Sequence, residues 1–208
     1  MTQREGALMR LGLLADIHGD VDQLAKAIER LRRDSVDKFV LLGDVIYDRR
    51  HADEIVELLR SCGAIGVWGN HELGLCVDPD AEMRQWYSES VMEFFSTLQP
   101  RLELEDVLVS HTFPTEDARD VLSFYVGVPE ETGMIENCFA RLPQRIMISG
   151  HFHRWFAATP SGKLDWRGEG PLDLASEDRY FIVVDAVMNG FAAMLDLERN
   201  ILVPIELS

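Results

Sequence analysis

The chain has 208 residues, with 36 acidic against 20 basic side chains and a formal charge of −16 at pH 7 with histidine neutral. An acidic excess of this size argues against sequence-independent binding to nucleic acid or an anionic membrane surface, because a polyanion would meet a mostly repulsive field. The 47% hydrophobic and 27% charged residues are those of a globular chain rather than a disordered one. No run reaches the roughly 18 apolar residues of a membrane span, and no apolar leader follows a basic head near the start, so a cytoplasmic protein is expected. Cys62, Cys76 and Cys138 are odd in number and lack CxxC spacing, which argues against a disulfide framework or a thiolate metal site. With no repeat, low-complexity tract or Gly/Ser/Pro-rich linker, residues 1–208 read as one domain.

In chain order, Leu11 to Ala15 is a short apolar run, followed by DIHGD and then by Val21, Leu24, Ala25, Ile28 and Leu31 at helical spacing. The unit recurs: Phe39 to Leu42 leads into GD, and Ala52, Ile55, Val56 and Leu59 carry the next helical face. Ala64 to Trp68 then leads into GNHE. Strands separated by single amphipathic helices imply crossover connections and a largely parallel first sheet. Residues 80–98 read as a helix with Tyr87, Val91, Phe94, Phe95 and Leu98 on one face, stopped before Pro100. Leu102 to Leu104 and Val107 to Val109 read as short strands, residues 115–142 as interrupted helical pieces, and Ile146 to Ile148 as a buried strand. Short strands are expected at 154–159, 163–166, 179–186, 190–197 and 201–206, with Asn189-Gly190 as a hairpin turn.

The polar exceptions fall at the ends of these runs. Asp16 and His18, then Asp44, then Asn70 and His71, then His111, then His151 and His153 each follow an apolar run directly. Groups just beyond several strands line one rim of an open α/β sheet and can converge there. Taken singly, each has an ordinary reading: Asp16 or Asp20 as a helix cap, Gly43-Asp44 as a turn, His111 as a satisfied core histidine. In GHFH, two imidazoles two apart on an extended segment would point the same way. The ordinary readings would all have to hold at once, which is what makes the set informative.

The ordered set DIH, GD, GNHE, a lone His after a strand, and GHFH spans residues 16–153. It resembles the calcineurin-like metallophosphoesterase superfamily, in particular its small bacterial phosphodiesterase and phosphatase members. That resemblance implies an α/β fold, a four-layer sandwich of two mixed β-sheets packed face to face and flanked by helices, with a two-metal site at one rim. It places one ion on Asp16, His18, Asp44 and His153, and a second on Asp44, Asn70, His111 and His151, with Asp44 bridging. Carboxylate, amide and imidazole donors without thiolate suit divalent manganese, with iron, zinc or nickel as alternatives. Two ions about 3.5–4 Å apart could share a hydroxide that attacks phosphorus in line.

By the same resemblance His71 is not a ligand but protonates or stabilises the leaving oxygen, and with Asn70 it contacts substrate. Such a histidine needs an acidic orienter, for which Glu72 and Asp48 are the candidates. The segment GDVIYDRR nearly matches the GDxxDR motif of phosphoprotein phosphatases, with Asp48 and Arg49 one residue late. Arg49 or Arg50 is the candidate phosphate contact, and His51 reads as a surface residue. Trp155 and Phe156 could wall the pocket or belong to the core. The expected substrate is a small phosphate ester or nucleotide, with no stable nucleic-acid complex, no membrane partner and no assignable oligomeric state. A phosphoprotein phosphatase is the alternative, and a non-catalytic docking module of the same fold is disfavoured because no histidine of the set is missing.

Overall fold

A computed structural model describes residues 9–131 and 133–207. The strands, in chain order, are β1 (Arg10–Leu14), β2 (Lys38–Leu42), β3 (Ile65–Val67), β4 (Leu102–Leu104), β5 (Val107–Val109), β6 (Ile146–Ser149), β7 (Phe156–Thr159), β8 (Gly162–Lys163), β9 (Leu172–Asp173), β10 (Tyr180–Val183), β11 (Phe191–Asp196) and β12 (Ile201–Glu206). The helices are α1 (Val21–Arg33), α2 (Ala52–Ser61), α3 (Leu73–Cys76), α4 (Ala81–Trp86), α5 (Glu89–Phe95) and α6 (Met134–Arg141), with 3₁₀ turns at Val121–Tyr125 and Val187–Asn189. Two six-stranded sheets result, ordered β3-β2-β1-β11-β12-β9 and β4-β5-β6-β10-β7-β8. Both are mixed: β1, β2 and β3 pair in parallel while β1–β11 and β11–β12 are antiparallel, so the first sheet is parallel over only half its width.

The period-two alternation of the strands explains the layering. Leu11 and Leu13 of β1 turn inward with Val107, Val109, Ile146, Ile148 and Ile182 of the other sheet, forming the core between the sheets. Leu14 turns outward beneath α1, α2 and α5. Phe181 and Val183 of β10 face the other way, onto Ile135 and Cys138 of α6. Trp155 and Phe156 are both buried; Trp155 meets Trp166 and Phe191 edge-on, so these two aromatics are core. No helix among the described residues is long and apolar enough to cross a membrane.

Three expectations need correction. The helix over 80–98 is two helices, because the Ser88 hydroxyl accepts from Val91 N and starts a new one where Tyr87 is extended. The strand expected over 163–166 is only the two-residue β8, and β9 carries no apolar alternation that would have announced it. Asn189-Gly190 is not a hairpin turn: Gly190, at φ 86°, closes the 3₁₀ turn after β10, and the chain crosses from one sheet to the other. The left-handed glycine was read correctly as a turn residue, but such a residue also caps helical turns. The antiparallel hairpin in this part of the chain is the next one, β11–β12.

Asp196 at the end of β11 ties that hairpin to β1. It accepts from Arg199 N, Glu198 N and Arg10 Nε at 3.0, 3.1 and 2.9 Å. Burial alone would raise its carboxyl, but these donors outweigh burial and hold it below the ordinary range. A depressed carboxylate contributes stability that is present above its unfolded pKa and lost as pH falls through the folded one. Asp196→Asn is therefore expected to cost about 1–3 kcal/mol at pH 7, and the gap to wild type should shrink below about pH 4, as read by urea unfolding at pH 7 and pH 3.

Candidate metal centre

The strands converge on one rim and the loops beyond them carry the polar residues. Asp16 stands two residues past β1, Asp44 two past β2, Asn70 three past β3, His111 two past β5 and His151 two past β6. The exit loops of β1 and β2 run side by side, with Asp16 N donating to Gly43 O and His18 N to Asp44 O at 3.1 and 3.0 Å. His151 N donates to the Asp16 carboxylate at 2.9 Å and His71 N to Asp44 Oδ1 at 3.1 Å. Gly69 passes so close to Asp44 that a Cβ there would lie 2.1 Å from Oδ1, which explains a glycine at that position.

Asp16, His18, Asp44, His151 and His153 all have φ between 49° and 68°. This left-handed region costs a residue with a side chain on the order of 1–3 kcal/mol, although Asp and His are among the types that enter it most readily. Its concentration at five of the seven expected ligands marks strain held in place by the loop-to-loop hydrogen bonds. It also corrects the reading of GHFH. The segment is not extended, and its two imidazoles part company: His153 Nε2 lies 3.2 Å from His18 Nε2, and His151 Nδ1 lies 3.2 Å from His111 Nε2.

Three groups of donor atoms result, each within 4.8 Å of one another: Asp16, His18 and His153; His18, Asp44 and His71; Asp44, His111 and His151. Asp44 Oδ2 is central, 3.3 Å from His111 Nε2, 3.7 Å from His18 Nε2 and 4.0 Å from His71 Nε2. Asn70 Oδ1 lies 3.2 Å from His111 Nε2. Burial opposes ionisation of Asp44, but His111 and the His71 N–H more than offset it and hold the carboxyl well below the usual range. Burial, with His111 nearby, pushes His151 down to about 4, and burial also lowers His18. Burial works against charge on His111 as well, but Asp44 wins and raises it to about 9; the bond to Asp16 raises His153. Imidazole nitrogens facing one another and two buried carboxylates, with no thiolate, form a donor set that fits borderline divalent cations.

The other expected residues lie as follows. Glu72 is fully buried and turns both oxygens to backbone, accepting from Ile46 N and Gly69 N at 3.0 Å each. Burial, with the Asp44 charge, pushes it up to about 8. Asp48 accepts from Arg50, through Arg50 N and its guanidinium at 2.7 Å each. Arg49 is exposed and makes no side-chain hydrogen bond among the described residues. His51 is exposed beside Glu54 at the start of α2. The His71 ring instead packs against His18 and Tyr47, with centroids 4.8 and 5.4 Å away.

Residue reading missed Tyr47, Tyr125 and Asp185. Tyr47 and Tyr125 carry no motif signal, since only the folded loops bring them beside His71 and His151. Asp185 did carry one: like Asp16 and Asp44 it stands two residues past a strand, here β10. It accepts from Ala186 N and Asn189 Nδ2, fixing a turn whose Val187 N and Met188 N donate to Ala15 O and Asp16 O. The misread Asn189-Gly190 turn is therefore a buttress for the Asp16 loop.

Residues 9–173, which contain the whole cluster, match the family described as calcineurin-like phosphoesterase. The chain belongs to that family. The calcineurin-like four-layer sandwich is also the fold of a solved metallophosphoesterase from Sphaerobacter thermophilus, with a TM-score of 0.76 and 20% identity over 97% of this chain and 89% of that one. A structure of a novel archaeal phosphodiesterase superposes with a TM-score of 0.56 and 16% identity, over 96% of this chain and all of the other. At such identities the likeness is one of fold. An uncharacterized protein of Methanocaldococcus jannaschii is 28% identical over 65 residues, 31% of this chain and 27% of that protein. That match thus spans only about a quarter of the curated relative's length.

Proposed function

We propose that the protein is a dinuclear metal-dependent hydrolase of phosphate esters, acting as a phosphodiesterase or phosphomonoesterase on a small molecule or nucleotide. The observation that carries this reading is the position of Asp44 Oδ2, within 4.0 Å of three imidazole nitrogens and shared by two of the three donor groups. It supports one divalent ion on Asp16, His18, Asp44 and His153 and a second on Asp44, Asn70, His111 and His151, manganese first, with iron, zinc or nickel as alternatives. When bound, such a pair supplies a nucleophilic water at neutral pH and neutralises charge on the phosphoryl oxygens.

The chain's own residues prepare the rest. His111 Nδ1 donates to Leu42 O at 2.7 Å, which turns Nε2 toward Asp44 and fixes the ring as a ligand. His151, neutral at pH 7, offers a lone pair without first losing a proton. Asn70 presents its amide at the same point, where it can also meet a phosphoryl oxygen. His71 is exposed at the rim and delivers a proton to the leaving oxygen. The body's charge of −16 then favours a small ester over a long polyanion, since the positive field is confined to the centre.

The phosphoprotein-phosphatase alternative gains nothing from Asp48, whose carboxylate is taken by Arg50 rather than aimed at His71. A panel of phosphopeptides against nucleotides and dinucleoside polyphosphates separates the two. His71→Ala is expected to lower kcat by about 10²–10⁴-fold while elemental analysis finds the same metal content. A manganese-loaded protein that cleaves no aryl phosphate mono- or diester, with H71A indistinguishable from it, would overturn the reading.

A further inference from the structure

Two tyrosine rings stand in water beside the cluster, each next to a different half of it. Tyr47 is 66% exposed, with its ring 5.4 Å from His71 and 6.3 Å from His18. Tyr125 is 65% exposed, with its ring 5.9 Å from His151. The Tyr125 side is the more apolar. It ends the 3₁₀ turn Val121–Tyr125, whose Phe124 is buried against His111 at 5.7 Å, while Leu122 and Val126 are 71% and 43% exposed. An isolated exposed apolar residue needs no explanation, but a cluster of them continuous with a polar centre marks a ligand surface. Of the neighbouring arginines, Arg50 is committed to Asp48 and Arg154 to Glu130, while Arg49 is exposed on the Tyr47 side. A ring thus flanks the phosphate position on either side, and two rings suit a diester, which carries two organic arms, better than a monoester, which carries one.

Resting on the hydrolase reading above, we propose that the substrate is a phosphodiester bearing a planar ring on both arms. The leaving arm stacks on Tyr47 beside His71, and the retained arm on Tyr125 over Leu122 and Val126. A nucleoside is one arm of this kind. In the reaction, water bonds to phosphorus through its oxygen and the bond to the Tyr47-side arm breaks. The departing oxygen takes a proton from His71, water's own proton later restores that histidine, and the Tyr125-side arm leaves as a phosphomonoester. Tyr47 and Tyr125 thereby set specificity through stacking.

The test compares bis(4-nitrophenyl) phosphate with methyl 4-nitrophenyl phosphate, which share a leaving group and differ in the retained arm. Tyr125→Ala is expected to lower the ratio of their kcat/KM values by about three- to ten-fold through KM, with Tyr125→Phe restoring it. Tyr47→Ala should lower kcat/KM for both and leave the ratio in place. Diphenyl phosphate should also bind wild type more tightly than dimethyl phosphate, and each alanine variant should lose part of that preference. If the ratio in Y125A stays at the wild-type value, or diphenyl phosphate shows no preference, the two-ring proposal is overturned while the hydrolase reading stands. If manganese-loaded wild type cleaves neither diester but does cleave 4-nitrophenyl phosphate, the two-ring proposal is overturned and the hydrolase reading stands; if it cleaves none of the three, the hydrolase reading itself falls and takes the proposal with it.

Discussion

Asp44→Asn is expected to abolish metal-dependent hydrolysis, with a fall of at least about 10³-fold in kcat/KM and loss of both bound ions. The substitution keeps the shape of a buried side chain and removes only its charge. Asp44 Oδ2 faces His111, His18 and His71 at 3.3, 3.7 and 4.0 Å, so in the dinuclear reading proposed above it is the oxygen that would bridge the two ions. An amide NH₂ at that position would meet imidazole nitrogens that are needed as lone-pair donors, and an amide oxygen would bring no negative charge to neutralise two cations. Oδ1, which accepts from His71 N, can still be supplied by the asparagine oxygen, so the loop itself should survive. Elemental analysis and circular dichroism on the same preparation separate the outcomes. Loss of metal with a native fold is expected; a D44N protein that keeps two ions and hydrolyses within about tenfold of wild type would remove the bridging role.

The centre was legible in the sequence because its residues break the strand pattern at one recurring place, just past the end of an apolar run. That signal needs only the topology rule that strand ends share a rim, and it picks out Asp16, Asp44, Asn70, His111 and His151. It could not tell how His151 and His153 divide, because that depends on their left-handed φ values, 68° and 50°, in a loop tied to the Asp16 carboxylate through His151 N. Residue type predicts tolerance of that conformation, not its occurrence. The misread turn at Asn189-Gly190 has the same origin. Locally the pair fits a hairpin and a helical cap equally well, and only the pairing of β11 with β1 and β12, 180 residues away in one case and next door in the other, decides between them. Tyr47 and Tyr125 were illegible for a different reason: exposure is a property of the folded surface, and nothing in a motif says which aromatic the core leaves out.

Glu72→Ala is expected to destabilise the protein by about 2–4 kcal/mol and, through the loops, to weaken metal binding. The carboxylate is fully buried and joins the β2 exit loop to the β3 exit loop by accepting from Ile46 N and Gly69 N, each at 3.0 Å. Its removal leaves two buried N–H groups with no acceptor, at roughly 1–3 kcal/mol apiece. Burial and the Asp44 charge push this carboxyl up to about 8, so at pH 7 it is largely the neutral acid and its removal relieves little buried charge. Gly69, which loses its acceptor, is also the residue that lies against Asp44; a shift there moves the central ligand. Glu72→Gln distinguishes charge from connectivity, since it retains one acceptor but aims its NH₂ at the other N–H, so it should fall near the alanine variant rather than near wild type. Urea unfolding read together with metal content tests this. The competing role, an acid that orients His71, predicts the reverse pattern: stability within about 0.5 kcal/mol of wild type, unchanged metal content and a displaced pH profile of kcat. The geometry favours the first pattern, because both oxygens of Glu72 are turned to backbone N–H groups and no hydrogen bond joins them to the His71 ring among the described residues.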